Sequence, residues 1–503
     1  MIWVLLVVSL YCYVYNPYFT VVGVGSSKIV AALVLAFAVV DPTCLRRLLL
    51  LRRELVATIV LLHVISIASF THQTAEAGAS YVTQIRVTAT WFAECIAVPL
   101  LFVSITKRHF LQTRYDTWLC IVACIAAVIS IVLFLNPPLF DLASRVLVLD
   151  DGSDGYRVND QLIRGFGVAS GLRGDFAMTQ ALATGTALYL STRHLGWTLA
   201  VPILVASAAI NARTALLAIP VALVVPGLPV RFRLGAVIVA VVAITLGVEL
   251  IRRTAESDGK SASTAKWIVS GGEAVLNEVQ GGAPSAASGV LLRDSDFLPV
   301  SIREWALGTG KPSPPSRASR VDNGYHYTLW YGGWMVLGAQ ITVNLLLFVR
   351  MLRGAPNPYL PVLFFLLLFA FNVKWSYLCA PNSMTRAIGI TYAATLLLPS
   401  AGSTPFRRRP AATRALIADT AADDLLSPGR ARRCTPMGKT HEVPTAKGCL
   451  CSSDRVDGVR FSARSRKPAP DRSCQRGAKF PGSFGAWFQP NSSAPDTSAH
   501  IAP

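Results

Sequence analysis

Residues 117–136 read TWLCIVACIAAVISIVLFLN, 20 consecutive positions without a charge, with Asp116 before them and Pro137-Pro138 after. As a helix rising 1.5 Å per residue this run is about 30 Å long, the thickness of a bilayer's hydrocarbon core. Working outward, apolar runs recur at about 28–43, 54–71, 87–106, 175–192, 196–210, 214–229, 234–250, 325–349, 357–373 and 386–401. Met1 to Phe19 precedes them; it lacks the Lys or Arg and the small-residue cleavage site of a signal peptide, and reads as a retained span. The pattern predicts an all-α polytopic membrane protein of about twelve transmembrane helices.

Composition points the same way. The chain of 503 residues is 52% hydrophobic and only 15% charged, with a mean hydropathy of +0.47, whereas soluble domains carry about 25% charged residues. That argues against a soluble enzyme. The formal net charge of +19 is unevenly spread, for residues 401–503 hold 17 basic and 8 acidic groups. Ahead of them, Lys and Arg collect between the apolar runs: Arg46-Arg47, Arg52-Arg53, Lys107-Arg108 with Arg114, Arg193, Arg231 and Arg233, then Arg350 and Arg353. The positive-inside trend puts these clusters and Arg407 to Arg409 in the cytoplasm, with both termini.

Two long segments, about 137–174 and 251–324, then fall on the outer side. Loops of that length commonly bind or gate. The second mixes 9 basic with 8 acidic residues, a near-balance unlike a nucleic-acid surface. Trp267, Ile268, Val275, Leu276 and Val279 in it approximate the spacing of a short amphipathic helix. The chain thus divides into a transmembrane domain, 1–402, and a cytoplasmic tail, 403–503. The tail's prolines and lack of sustained apolar periodicity predict disorder, and its basic residues suit anionic headgroups or plain solvation. A tail translated out of frame fits the same composition.

Six of the ten cysteines, Cys12, Cys44, Cys95, Cys120, Cys124 and Cys379, lie in or beside apolar runs and behave as small hydrophobes. Cys449-Leu450-Cys451 near His441 lacks the paired spacing of a metal site. No Walker-type phosphate loop, His-Glu-x-x-His zinc signature or serine elbow occurs.

Three polar features remain. Arg157, Arg164 and Arg173 precede the span at Asp175 in glycine-rich context, Arg164-Gly165-Phe166-Gly167 and Gly171-Leu172-Arg173-Gly174. Guanidinium forks grip pyrophosphate bidentately and glycines admit close backbone approach, although pairing with Asp151, Asp154 and Asp160 would explain the same arginines. Asn211-Ala212-Arg213-Thr214 makes a polar turn between two runs, where Arg213 either faces a polar cavity or snorkels to headgroups. Asp322-Asn323-Gly324-Tyr325-His326-Tyr327 ends the second loop. Asp322 and His326, four apart, share a helix face if the helix starts there and can then hold an acceptor hydroxyl; the bland alternative is a helix cap followed by an interfacial aromatic belt.

Taken in order, the Arg-Gly segment before a span, the Asn-Ala-Arg-Thr turn, the long loop with Gly308-Thr309-Gly310, and Asp322-Asn323-Gly324-Tyr325 leading to Gly332-Gly333 resemble the O-antigen ligase and polymerase superfamily. Within it the chain looks most like the Wzy-type polymerases of O-antigen and exopolysaccharide repeat units. The motifs cover about 155–350 and are short; the glycine spacing after Arg164 and the place of His326 depart from the family pattern.

The resemblance implies a multi-pass protein of the bacterial inner membrane that needs no metal ion or cofactor. It implies transfer of a growing glycan from undecaprenyl pyrophosphate to an incoming lipid-linked repeat unit, with a chain-length regulator and a flippase of the same pathway as partners. Arg157, Arg164, Arg173, Arg213, Asn323 and Tyr325 are then expected to bind substrate, and Asp322 or His326 to take the acceptor proton. A ligase of the same superfamily and a lipid-linked oligosaccharide flippase are the alternatives.

Overall fold

The computed structural model describes residues 2–19, 21–72, 75–112, 115–147, 173–212, 215–216, 218–230, 232–235, isolated positions between 238 and 299, 301–311, 324–373 and 378–397. Among them every named element is helical, and β pairing is confined to two isolated bridges, Tyr18 with Gly25 and Phe19 with Leu147. In chain order the α-helices are α1 Ile2–Tyr15, α2 Ser26–Val40, α3 Pro42–Arg46, α4 Arg52–Phe70, α5 Ala75–Phe92, α6 Val98–Gln112, α7 Tyr115–Leu135 and α8 Pro137–Val146. They continue as α9 Arg173–Ser191, α10 Ala200–Asn211, α11 Ala218–Val224, α12 Ile302–Leu307, α13 Gly324–Gly354, α14 Tyr359–Asn372 and α15 Ser383–Leu397.

Local sequence accounts for the breaks. Asp41-Pro42 separates α2 from α3: Asp41 Oδ1 accepts from the Thr43 N–H at 3.0 Å and its hydroxyl at 2.6 Å, and Pro42 supplies a first helical position that needs no donor. The chain bends there by 105°. Asn136 ends α7, accepting from Leu139 N at 3.2 Å, and Pro137 starts α8. Between α5 and α6 the helix does not stop; one π turn, Ala93–Ala97, widens it.

Among the described residues three helices are long and apolar enough to cross a membrane: Tyr81–Lys107, Tyr115–Leu135 and Gly324–Gly354, with the bent pair Ser26–Val40 and Pro42–Phe70 as a fourth if it counts as one span. Other runs that read as spans form shorter helices. The 357–373 run yields 14 residues of α14, about 21 Å. The 214–229 run yields the 7 residues of α11, after which Pro226, Gly227 at φ 112° and Pro229 turn the chain. The 234–250 run lies almost wholly outside the described residues.

Several basic residues near helix ends bond neighbouring helices. Arg47 Nη1 donates to Ser104 O midway along α6 at 3.1 Å. Arg350, near the end of α13, pairs with Glu54 and donates to Leu50 O at 2.7 Å, and the Tyr392 hydroxyl donates to the same Glu54 oxygen at 2.5 Å. Arg193 pairs with Asp116 at 3.5 Å and lies over the Tyr189 ring, which stacks on Tyr359 at the start of α14. Glu54 is 4% exposed, so its charge is spent inward on Arg350 and Tyr392.

Candidate functional site

The Gly332-Gly333 pair breaks α13. Gly333 takes φ 62° and ψ −167°, a conformation essentially reserved for glycine. Phe348 stacks on Phe365, whose ring in turn meets that of Phe369 at a tilt, each pair at 4.4 Å between centroids, while the Tyr325 hydroxyl donates to Phe369 O at 2.9 Å. In a straight helix Tyr325 and Phe348, 23 residues apart, would be separated by about 34 Å. Both nevertheless reach neighbouring turns of α14, so residues 324–332 double back against residues 334–354.

Doubling back strands the carbonyls of the last turn, which must find donors. The second long segment supplies them. Thr309 N and its hydroxyl donate to Trp330 O at 2.6 and 2.9 Å, and Gly310 N donates to Tyr331 O at 3.1 Å. From α5 the Tyr81 hydroxyl adds a bond to Tyr331 O at 3.1 Å. The approach is close enough that a β-carbon on Gly308 would overlap the Tyr331 backbone and one on Gly333 the Ala306 carbonyl. The Gly308-Thr309-Gly310 and Gly332-Gly333 motifs are thus two halves of one junction, and α12 leads into it, its own first turn closed by the capping box of Ser301 and Glu304.

A second polar centre lies beneath the start of α15. Arg386 sets Nη2 at 2.8 Å and Nε at 3.2 Å from Glu94 Oε2, and its side chain is 7% exposed. Glu94 sits in the π turn, whose Cys95 carbonyl lies so close to Gly389 that no larger residue fits there. The Glu94 carbonyl receives the Tyr13 hydroxyl. Asp175, the third residue of α9, accepts from Ser383 N at 2.7 Å and Met384 N at 3.3 Å, so a carboxylate caps the first turn of α15 where the helix dipole favours it. Asn382 and Thr385 complete that cap reciprocally, at 2.8 and 3.0 Å.

The two centres connect through α14. Tyr325 bonds Phe369; Asn372, one turn on, accepts from Leu378 N at 3.2 Å; and residues 378–382 lead to Ser383, which bonds Asp175. Cys379 lies between, its sulfur 3.4 Å from the Asn344 amide.

Of the residues singled out from sequence, Arg157, Arg164, Arg213, Asp322 and Asn323 lie outside the described residues, as does the amphipathic stretch of the second loop apart from isolated positions. Arg173 opens α9 by its backbone. Tyr325 and His326 fall in the doubled-back segment, both half-buried, and the Tyr325 hydroxyl is engaged with α14. Tyr327, next along, accepts from Gln84 at 3.1 Å. Asn211 is a helix tie: its amide donates to Ser130 of α7 at 2.9 Å and to Ser207 O at 2.8 Å. The helix begins at Gly324, so a face shared by Asp322 and His326 would need helix beyond its described start.

Sequence reading passed over Glu94, Asp175 and Arg386. Their signal was there: each is an ionisable residue in or at the edge of an apolar run, where a charge is costly unless paired. Among the described residues no three of His, Cys, Asp and Glu converge as metal ligands, and the six cysteines there are free. No protein-family model matches the chain, and no similar curated protein or solved structure was found.

Proposed function

We propose that the chain is a multi-pass inner-membrane enzyme that polymerises lipid-linked oligosaccharide repeat units at the periplasmic face, with about twelve spans and periplasmic loops at about 137–174 and 251–324. The growing glycan is transferred from undecaprenyl pyrophosphate to the incoming unit. Arg157, Arg164, Arg173 and Arg213 hold the pyrophosphate, whose leaving oxygens gain negative charge as the sugar departs. Asp322, with His326 as the second candidate, takes the proton of the attacking hydroxyl, and Asn323 and Tyr325 line its approach.

The observation that carries this reading is the linkage of the two loop exits. The segment after the first loop enters at Asp175, the second loop is tied down at Thr309 and Gly310, and Tyr325, α14 and Ser383 join those two points. Both loop exits are therefore tied to segments that pack on or follow α14, which supports delivery of residues from both loops to one site, as a two-substrate transfer requires.

A second reading, a lipid-linked oligosaccharide flippase, draws support from the buried Glu94–Arg386 pair, the π turn and the doubled-back helix, because broken helices and interior charges are features of secondary carriers. The glycan profile of a strain lacking the gene separates the readings. Glycans of a single unit support the polymerase. Lipid-linked polymer left unattached indicates the ligase of the same superfamily, and substrate trapped in the cytoplasm indicates the flippase.

A further inference from the structure

A groove of about 660 Å³ runs between α4 and α13, walled by Val56, Val60 and Leu61 on one side and by Ala339, Thr342 and Leu346 on the other. Arg52 and Arg53 close one end of it. Both are exposed, and neither forms an ion pair among the described residues. The adjacent Glu54 does not neutralise them, because it points inward to Arg350 and Tyr392. From Arg53 to Leu61 the apolar floor extends about 12 Å along α4. Val56 and Val60 are 60% and 55% exposed, so the chain itself leaves these walls uncovered.

We propose that this groove binds one glycerophospholipid with an anionic headgroup, its phosphate against Arg52 and Arg53 and one acyl chain along the α4–α13 walls. The inference rests on the membrane reading but not on polymerase activity. An acyl chain gains little by leaving other lipid tails for an apolar wall. Selectivity must then come from the charged end, where two unpaired guanidinium groups favour a net negative headgroup over a zwitterionic one. The groove adds position, holding that lipid where α4 meets the Arg350 end of α13.

The test uses the purified full-length protein in neutral detergent, titrated with dioleoylphosphatidylglycerol or dioleoylphosphatidylcholine and followed by native mass spectrometry. The expected result is one phosphatidylglycerol bound ahead of the background, with phosphatidylcholine binding only as background. Arg52→Gln and Arg53→Gln, both at exposed positions, should each weaken that binding roughly 5-fold and together roughly 25-fold. Thr342→Trp keeps both arginines and fills the exposed groove wall; it should abolish the tight site while leaving background unchanged. Equal binding of the two lipids overturns the proposal, as does phosphatidylglycerol binding that survives Thr342→Trp. Failure of the protein to enter phosphatidylcholine vesicles at all would instead count against the membrane reading beneath it.

Discussion

Arg386 and Glu94 stand 292 positions apart and share one carboxylate oxygen at 2.8 and 3.2 Å from two guanidinium nitrogens, joining the first turn of α15 to the π turn between α5 and α6. A pair this deep contributes less through its own attraction than through the penalty of leaving one member alone. Removing one partner costs about 3–5 kcal/mol, whereas replacing both with apolar residues is often near neutral. Glu94→Leu or Arg386→Leu alone should therefore lower the melting temperature sharply in detergent, and the double variant should recover most of the loss. If the double variant folds but leaves the lipid-glycan profile like that of the deletion strain, the pair serves function beyond stability. A double variant as unstable as either single one would contradict this account of the pair.

Gly333 and Gly308 test the doubled-back helix. Each has positive φ, and a β-carbon on either would overlap backbone of the other segment. Strain of this kind costs about 1–3 kcal/mol before any clash is counted. Gly333→Ala and Gly308→Ala should each destabilise the protein by at least that much, by thermal unfolding in detergent, while Gly338→Ala, whose β-carbon meets open space, should change little. Equal effects at all three positions would mean that the junction is not what holds α13.

How far the sequence alone reveals this fold depends on which physics each feature uses. The run 117–136 could be read directly, because an uncharged stretch of that length has few stable solutions, and it is helical over Tyr115–Leu135. The break at Gly333 could not, since the residues around it stay apolar and glycine is common in membrane helices. Tertiary contacts, those with residues 308–310 among them, favour the doubled-back form, and periodicity within one segment carries no trace of such partners. Gly308-Thr309-Gly310 and Gly332-Gly333 were visible as motifs, but their meeting was not. Glu94 and Arg386 hid for a related reason: each looks like an isolated cost inside or beside its own run, and the pairing that removes the cost joins distant segments. Asp175 read as a span boundary, and its carboxylate caps a helix 208 residues later. Tyr325 was expected at substrate, and its hydroxyl is bonded to Phe369 O.

The periplasmic placement of the two long loops can be tested without any activity assay. Reporter fusions after Ser153 and Gly282 should report periplasm and one after Arg353 cytoplasm, because the clusters ending in Arg350 and Arg353 belong inside by the positive-inside trend. A cytoplasmic signal at Gly282 would place the second loop on the wrong side and remove Asp322 and His326 from any periplasmic chemistry.

The proposed transfer separates into grip and proton removal, which differ in sensitivity to residue type. Arg164→Lys and Arg213→Lys keep a positive charge but lose the planar fork, so polymer should fall steeply at unchanged protein level. Asp322→Asn keeps size and hydrogen bonding and removes the base, for which a loss of roughly 100- to 10,000-fold in rate is expected. His326→Ala is its counterpart: if that change alone abolishes transfer while Asp322→Asn does not, the imidazole is the base. In the same purified reaction with the lipid-linked repeat, activity should survive EDTA, and strict dependence on an added divalent ion would remove the metal-free part of the mechanism. Tyr325→Phe removes the hydroxyl that donates to Phe369 O, so it should cost about 1 kcal/mol of stability and little rate if Tyr325 is a helix tie. Should the Arg164, Arg213, Asp322 and His326 variants all polymerise normally, those residues are loop and cap structure, and the enzyme reading must find another site or yield to the transporter.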